Sequence, residues 1–176
     1  TNASSLDTDG FDLTGAWNLD DTSSGSWRFG LNATYVTTYD IVDPQAGNVD
    51  GKGNRNFTNF ATSVPELRGN LNATWSLGRN SVNAYLRYID SYDDDQNVDL
   101  TTGSFAKVDS FTAFDLQYNF EFGPILGAET GPVVTLGAIN LFDEEVPGVV
   151  TSGGFDSKVH DPRQRLVYLR LAVPFQ

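Results

Sequence analysis

The sequence predicts an all-β protein, and more narrowly a segment of an antiparallel transmembrane β-barrel. Three observations predict this fold class. Apolar and polar residues alternate along about seven stretches, the connections between them are short and long in turn, and aromatic residues gather at both ends of the apolar positions. A period of two gives a strand one apolar and one polar face. Tight turns on one side, large loops on the other and aromatic girdles are typical of outer-membrane barrels.

The first half of the chain predicts four strands, at about residues 6–19, 27–39, 63–77 and 82–88. The third shows the clearest alternation. Its apolar positions are Leu67, Gly69, Leu71, Ala73, Trp75 and Leu77, and its polar positions are Glu66, Arg68, Asn70, Asn72, Thr74 and Ser76. The connection over 40–62 is longer than the roughly 12–15 residues usual for structureless loops, so we expect a functional loop there.

The second half predicts three more strands, at about residues 108–121, 133–142 and 163–176. The middle one is apolar on both faces, so periodicity leaves its orientation open. The last strand ends with the alternating apolar residues Leu171, Val173 and Phe175. This ending resembles the C-terminal assembly signal of bacterial outer-membrane barrels. Seven strands do not close an ordinary bacterial barrel, because such barrels have even strand numbers. We therefore expect residues 1–176 to be part of a larger barrel.

If the C-terminus lies in the periplasm, the aromatic residues mark the two edges, or rims, of the face that is expected to contact the membrane. The periplasmic rim takes Trp17, Trp27, Trp75, Phe120 and Phe175, and the outer rim takes Phe11, Tyr35 and Tyr88, with Tyr92 as a further candidate. The lipid-facing positions carry no charge, as expected where a midplane Arg or Lys costs about 2–4 kcal/mol. The opposite, lumen-facing positions carry Asp12, Arg28, Glu66, Arg68, Arg87, Asp115 and Arg170.

Composition excludes several classes of function. Cysteine is absent and His160 is the only histidine, which removes most zinc and nucleophilic sites. The net charge of −12 leaves no basic surface for nucleic acid. We therefore expect no enzyme, no cofactor and no nucleic-acid partner, and we expect His160 to be an ordinary outer-loop residue. Asp93 and Asp95 are weak candidates for a cation site, but a solvated acidic loop is the simpler expectation because calcium-loop spacing is missing.

Two motifs near the end of the chain resemble those of TonB-dependent outer-membrane receptors. The first is Asn140-Leu141-Phe142-Asp143. The second is Asp161-Pro162-Arg163-Gln164-Arg165, which has Gln164 where the family usually has glycine. We expect these motif residues to organise turns rather than to bind a ligand. Arg28, Arg68, Arg87, Asp115 and Arg170 could touch an anionic substrate, although ion pairs to nearby or plug carboxylates are the simpler expectation.

The resemblance implies a 22-stranded barrel filled by a plug domain, in the outer membrane of a Gram-negative bacterium. It implies uptake of a scarce nutrient, such as a ferric siderophore, cobalamin or an oligosaccharide, driven through TonB. The chain is then expected to hold the last seven strands, with the plug, the earlier strands and the TonB-contacting segment outside it. Its other expected partners are outer-membrane lipid, lipopolysaccharide and the barrel-assembly machinery. Two alternatives stay open: a small stand-alone barrel with a structural or adhesive role, and a soluble carbohydrate-binding β-sandwich.

Overall fold

The computed structural model describes residues 5–43, 47–124 and 131–174, whose regular structure consists of ten β-strands. The strands are β1 (Ser5–Thr22), β2 (Gly25–Asp43), β3 (Gly47–Asp50), β4 (Leu67–Leu77), β5 (Asn80–Ile89), β6 (Tyr92–Val98), β7 (Phe105–Val108), β8 (Phe111–Glu121), β9 (Val133–Ile139) and β10 (Leu166–Ala172). No helix in these ranges is long and apolar enough to cross a membrane.

Seven strands form one antiparallel meander in the order β1-β2-β4-β5-β8-β9-β10. Each strand pairs with the next one in this order, while β3 extends the sheet beside β2 and β6 pairs only with β7. Within the described residues β1 and β10 do not pair with each other, so the sheet is open. The predicted all-β class and the seven main strands are confirmed.

The register between strands decides which face each side chain occupies. Leu31, Leu71 and Leu86 lie side by side on β2, β4 and β5, and this row continues to Phe114 on β8. We call this side the apolar face and the other the polar face. On β9, Leu136 pairs with Tyr118 and therefore joins the apolar face, whereas its neighbours Thr135 and Gly137 join the polar face. Pairing thus settles the orientation that periodicity left open.

Short turns lie at one end of the sheet, the turn end, and long connections lie at the other, the loop end. We name the connections loop A (residues 47–66), loop B (residues 90–110) and loop C (residues 140–165). The connection expected over 40–62 is partly strand, because β2 continues to Asp43 and loop A begins with β3, and loop B holds the β6–β7 hairpin.

Several predicted strand ends were wrong, because local geometry breaks the ladder. The last strand was expected over 163–176, but β10 spans only Leu166–Ala172. Val173 follows the strand, Pro174 has no amide hydrogen to donate, and Phe175 lies outside the described residues. β9 ends at Ile139 rather than at residue 142, because Asn140 has a φ of +50°. β4 starts at Leu67, and residues 63–66 belong to loop A.

The first hairpin is much longer than a membrane requires. β1 has 18 residues and β2 has 19, whereas about 9–11 tilted residues cross the hydrocarbon layer. A bulge lies between Asp9 and Gly10, and an added Cβ at Gly10 would lie 2.6 Å from the Tyr35 carbonyl oxygen. The extra residue on β2 shifts the alternation. Tyr39 and Ile41 are buried beyond it, and both side chains lie within 3.0 Å of a Cβ placed at Gly51 of loop A.

The buried core lies among the loops rather than on the apolar face of the sheet. Tyr92, Ile41 and Val108 are among the largest fully buried side chains, and all three lie at the loop end. On the apolar face, by contrast, Leu169 is 73% exposed and Leu136 is 53% exposed. No second sheet covers this face within the described ranges, as a soluble sandwich would require.

Candidate functional site

The three loops pack into one unit, which we call the loop cluster. Loop A runs beside β6 of loop B: the Arg55 amide donates to the Asp93 carbonyl over 2.8 Å, and the Asp93 amide donates to the Gly53 carbonyl over 2.7 Å. Loops B and C share a small hydrophobic core, formed by Tyr92, Val108 and Val149 with Val159 packed against them. The cluster therefore has both a backbone and a side-chain connection between loops.

Asp156 of loop C joins all three loops through one carboxylate. Its Oδ2 atom accepts hydrogen bonds from the Ser63 hydroxyl of loop A over 2.5 Å and from the Tyr92 hydroxyl of loop B over 3.2 Å. Asp156 is 5% exposed, so these bonds replace lost contacts with water. Burial, reinforced by the Asp156 charge, raises the pKa of Tyr92 well above its ordinary value, so Tyr92 stays a neutral donor.

The acidic run of loop B is not the solvated segment that was expected. Asp94 is 3% exposed and forms a 2.9 Å ion pair with Arg55 of loop A, which is 6% exposed. Asp95 accepts hydrogen bonds from the Phe57 amide over 2.8 Å and from the Thr58 hydroxyl over 2.7 Å. Burial opposes ionisation of Asp95, but these bonds outweigh it and hold its pKa below the ordinary value. The run therefore ties loop B to loop A.

The carboxylates of Asp93 and Asp95 are not arranged together as ligands of a metal ion. Asp93 pairs with Lys107 over 2.6 Å, and Asp95 is turned to the backbone of loop A. Among the described residues no group of three or more His, Asp or Glu side chains is placed to hold a metal ion.

His160 and Tyr92 both lie inside the cluster, contrary to expectation. Tyr92 is only 1% exposed and does not lie at the outer rim. His160 is 5% exposed, stacks on Tyr92 with ring centroids 6.1 Å apart, and meets the edge of Phe111 at 5.5 Å. Neither ring nitrogen has a hydrogen-bond partner in the described structure. Burial lowers the pKa of His160, so the neutral ring is favoured. Its partners come from distant segments, and no local pattern marks it as buried.

The predicted lumen residues within the strands lie on the polar face, but only two of them meet. Glu66 was expected on that face of β4, but it lies in loop A and pairs with Lys52 over 3.1 Å. Arg87 Nη2 lies 2.8 Å from Asp115 Oδ1 on the neighbouring strand. Arg68 reaches only the Ser63 carbonyl oxygen, at 3.5 Å. Arg28 and Arg170 form no ion pair with any described residue.

A close approach at Gly137, which sequence reasoning passed over, shapes the polar face near β10. Tyr168 lies across Gly137 and donates from its hydroxyl to Gln117 Oε1 over 2.8 Å. A Cβ at Gly137 would lie 2.4 Å from the Tyr168 ring, so no larger residue fits without moving that ring. The tyrosine therefore fastens β10 to β8 across β9.

The sequence of this chain matches the model of a known protein family. The model described as TonB dependent receptor-like, beta-barrel matches residues 1–141 of the 176. This chain belongs to the TonB-dependent receptor family. The family consists of Gram-negative outer-membrane receptors that act in TonB-dependent transport. Searches of curated proteins and of solved structures give no match.

The match extends the family assignment to the strands before Asn140, which lie outside the two motifs that carried the resemblance. It ends at residue 141, so the motif over 161–165 lies outside it and its receptor origin stays a prediction. Two residues of the proposed C-terminal assembly signal are described. Leu171 lies on the apolar face of β10, paired with Val134, and Val173 comes just after that strand.

In the structure of this receptor segment, Asn140 forms the turn that opens loop C. Its side chain accepts from the Glu144 amide over 2.9 Å and donates to the Glu144 carbonyl over 2.8 Å. Its own amide donates to Asp115 over 2.8 Å. Leu141 and Phe142 follow, and the Phe142 ring stacks on Phe114 at 5.7 Å. The turn is thereby fixed to β8.

The two ends of loop C meet through the second motif. The Asp143 carboxylate accepts from the Arg165 amide over 2.7 Å. Asp161, just before Pro162, accepts from the Arg163 amide over 3.1 Å and pairs with its guanidinium. The Arg163 side chain holds the pKa of Asp161 below its ordinary value. The motif residues thus contact one another and the sheet.

Proposed function

We propose that this chain forms the last seven strands of a 22-stranded TonB-dependent receptor barrel. We propose that the receptor takes up a scarce nutrient, such as a ferric siderophore, cobalamin or an oligosaccharide. The observation that carries the proposal is a single sheet with an exposed apolar face, a polar opposite face and three packed loops at one end. The family match over residues 1–141 supports the same assignment.

Aromatic contacts at the turn end support a membrane position for the apolar face. Trp17 stacks on Phe29 at 5.6 Å, Phe29 stacks on Trp27 at 6.0 Å, and Trp27 lies 6.3 Å from Trp75. The Trp75 indole N–H donates to the Ser24 carbonyl over 2.6 Å. Tryptophans with an apolar body and a bonded polar tip favour the membrane–water interface. In this proposal the turn end faces the periplasm and the loop cluster faces outward.

The free edges of the sheet support the proposed partners. An unpaired strand edge in hydrocarbon leaves backbone groups without hydrogen bonds, which costs several kcal/mol for each group. We therefore infer that β1 pairs with an earlier strand of the same receptor and β10 with the first strand, which closes the barrel. The polar face then surrounds the plug, the apolar face contacts lipid and lipopolysaccharide, and TonB acts through the N-terminal region. The assembly machinery reads the strand that ends the chain.

Energy-dependent uptake tests the proposal. Cells carrying the complete receptor are supplied with radiolabelled ferric citrate, ferrichrome, cyanocobalamin or maltohexaose, with and without TonB. We expect at least one solute to accumulate, and its accumulation to stop when TonB is deleted or a protonophore collapses the inner-membrane proton gradient. Accumulation that persists without TonB, or none above receptor-free cells for any solute, contradicts the proposal.

A further inference from the structure

A cavity of about 370 Å³ opens where loops A and C meet the polar face of β2 and β4. Its polar lining consists of the hydroxyls of Thr34, Thr62 and Ser63 and the charged groups of Arg68 and Lys158, and the rest is valine and proline. This volume lies in the usual range for small-molecule sites, about 300–1,000 Å³. An apolar wall with a few convergent polar groups is also usual for such sites.

The charges of this cavity are all of one sign. Arg68 and Lys158 line it, whereas no Asp or Glu does. Neither cation forms an ion pair with a described carboxylate, although six of the other basic side chains do. Among the described lysine and arginine side chains of the three loops, Lys158 alone lacks an ion pair, whereas Arg68 shares this state with Arg28 and Arg170 on the polar face.

Two neighbouring cavities extend this one in opposite directions. Toward the loop tips, a cavity of about 200 Å³ shares Ser63 and Lys158 and adds the ring of Phe57. Toward the sheet, a cavity of about 400 Å³ shares Thr34 and Arg68. Shared lining residues make the three cavities neighbours in a row from the loop cluster to the polar face.

We propose that this cavity binds the anionic part of a small organic solute, held by Arg68 and Lys158, on its way from the loop cluster to the lumen. The apolar wall accepts the carbon body of the solute, and the Thr62 hydroxyl donates to its carboxylate or phosphate oxygens, because the Ser63 and Thr34 hydroxyls already donate to Asp156 and Asp12. The site rests on the proposed function only in placing the loop cluster outside the cell. It narrows the transported class to solutes that carry negative charge.

Two carboxylates lie next to this cavity but do not line it. Asp156 lies on the loop-tip side and is engaged by Ser63 and Tyr92, and Asp12 lies on the sheet side and accepts from Thr34 over 2.6 Å. Both line neighbouring cavities rather than this one.

The chain contains no cysteine, so a single introduced thiol can measure the local potential. Thr62→Cys places the thiol in the cavity, and Ser104→Cys, at the exposed tip of loop B, is the matched control. The complete receptor, with any other cysteines removed, is treated in outer membranes with an anionic sulfonatoethyl or a cationic trimethylammonioethyl methanethiosulfonate. The ratio of the two labelling rates is measured for each thiol.

We expect the anionic-to-cationic rate ratio to be on the order of tenfold higher at Thr62→Cys than at Ser104→Cys, since clefts of one sign concentrate opposite charge. Lys158→Gln, whose side chain has no partner to lose, should lower the ratio severalfold. Arg68→Gln should do the same, and Arg68→Lys should preserve the ratio. Heat-dependent gel mobility checks that each variant is folded.

Two results overturn the anion site. Equal or cationic preference at Thr62→Cys means that the two cations do not set the potential. Labelling of Ser104→Cys without labelling of Thr62→Cys means that the plug fills the cavity. Labelling does not require transport, so an anionic preference without TonB-dependent uptake leaves the site standing and removes the proposed function. TonB-dependent uptake without an anionic labelling preference at Thr62→Cys supports the proposed function and removes the anion site.

Discussion

Replacing Leu71 with arginine tests the assignment of the two faces of the sheet. Leu71 lies on the apolar face, paired with Leu31 and Leu86, and is 46% exposed. It lies midway along β4 between Trp75 at the turn end and Leu67 at the loop end, so it should sit near the bilayer midplane. An arginine there costs about 2–4 kcal/mol, and every 1.4 kcal/mol is tenfold, so the folding equilibrium should fall about 30- to 1,000-fold.

The adjacent residue is the matched control. Asn72 points to the polar face, where its side chain lies over Gly30. An arginine at this position reaches water in the lumen, so Asn72→Arg should cost less than about 1 kcal/mol, because a long charged side chain can keep its head in water. Leu71→Ala separates loss of the leucine from gain of the charge.

The assay is urea unfolding of the complete receptor in lipid vesicles, with the folded fraction read from heat-dependent gel mobility. Leu71→Arg should unfold at much lower urea than either control, and should assemble poorly in cells. Equal tolerance of arginine at 71 and 72, or equal loss at both, would refute the facing assignment.

Three further predictions follow from the loops and the polar face. Gly137→Ala should destabilise the barrel by about 1–3 kcal/mol in the same urea assay, because the added methyl meets the Tyr168 ring, and the cost should vanish in a Tyr168→Ala background. Asp156→Asn should increase hydrogen exchange in all three loops together, whereas exchange changes confined to loop C, or equal changes in the exposed control Asp161→Asn, would contradict the joining role. His160 has a lowered native pKa, so its contribution to stability is present above about pH 6.5 and is lost as pH falls toward the native value. Protease cleavage of the cluster should rise over this range, and His160→Phe should flatten the profile.

The strands and their faces could be predicted from the sequence because alternation is a local property. Leu71 and Asn72 fall on opposite faces whatever the distant chain does, and a period of two is visible within ten residues. β9 is the exception, since it is apolar on both faces. Only its pairing with Tyr118 on β8 assigns Leu136 to the apolar face.

The loop cluster could not be predicted, because its contacts join segments that are far apart in the chain. Asp156 meets Ser63 and Tyr92, and Asp94 meets Arg55, with no motif in any of these stretches. Hydrophilic composition suggests solvated loops, yet buried polar residues can pair with one another once several loops pack together. His160 lacked a local signal for the same reason.

The mass of the intact polypeptide, extracted from its native outer membrane, tests the central claim that this open sheet is one part of a larger closed barrel. The 176 residues, strands and loops together, account for 19.2 kDa. A barrel of 22 strands with a plug requires a polypeptide several times heavier, which is the result we predict. A mass near 19.2 kDa would mean that β1 and β10 must close on each other or on further copies, and would contradict the receptor account.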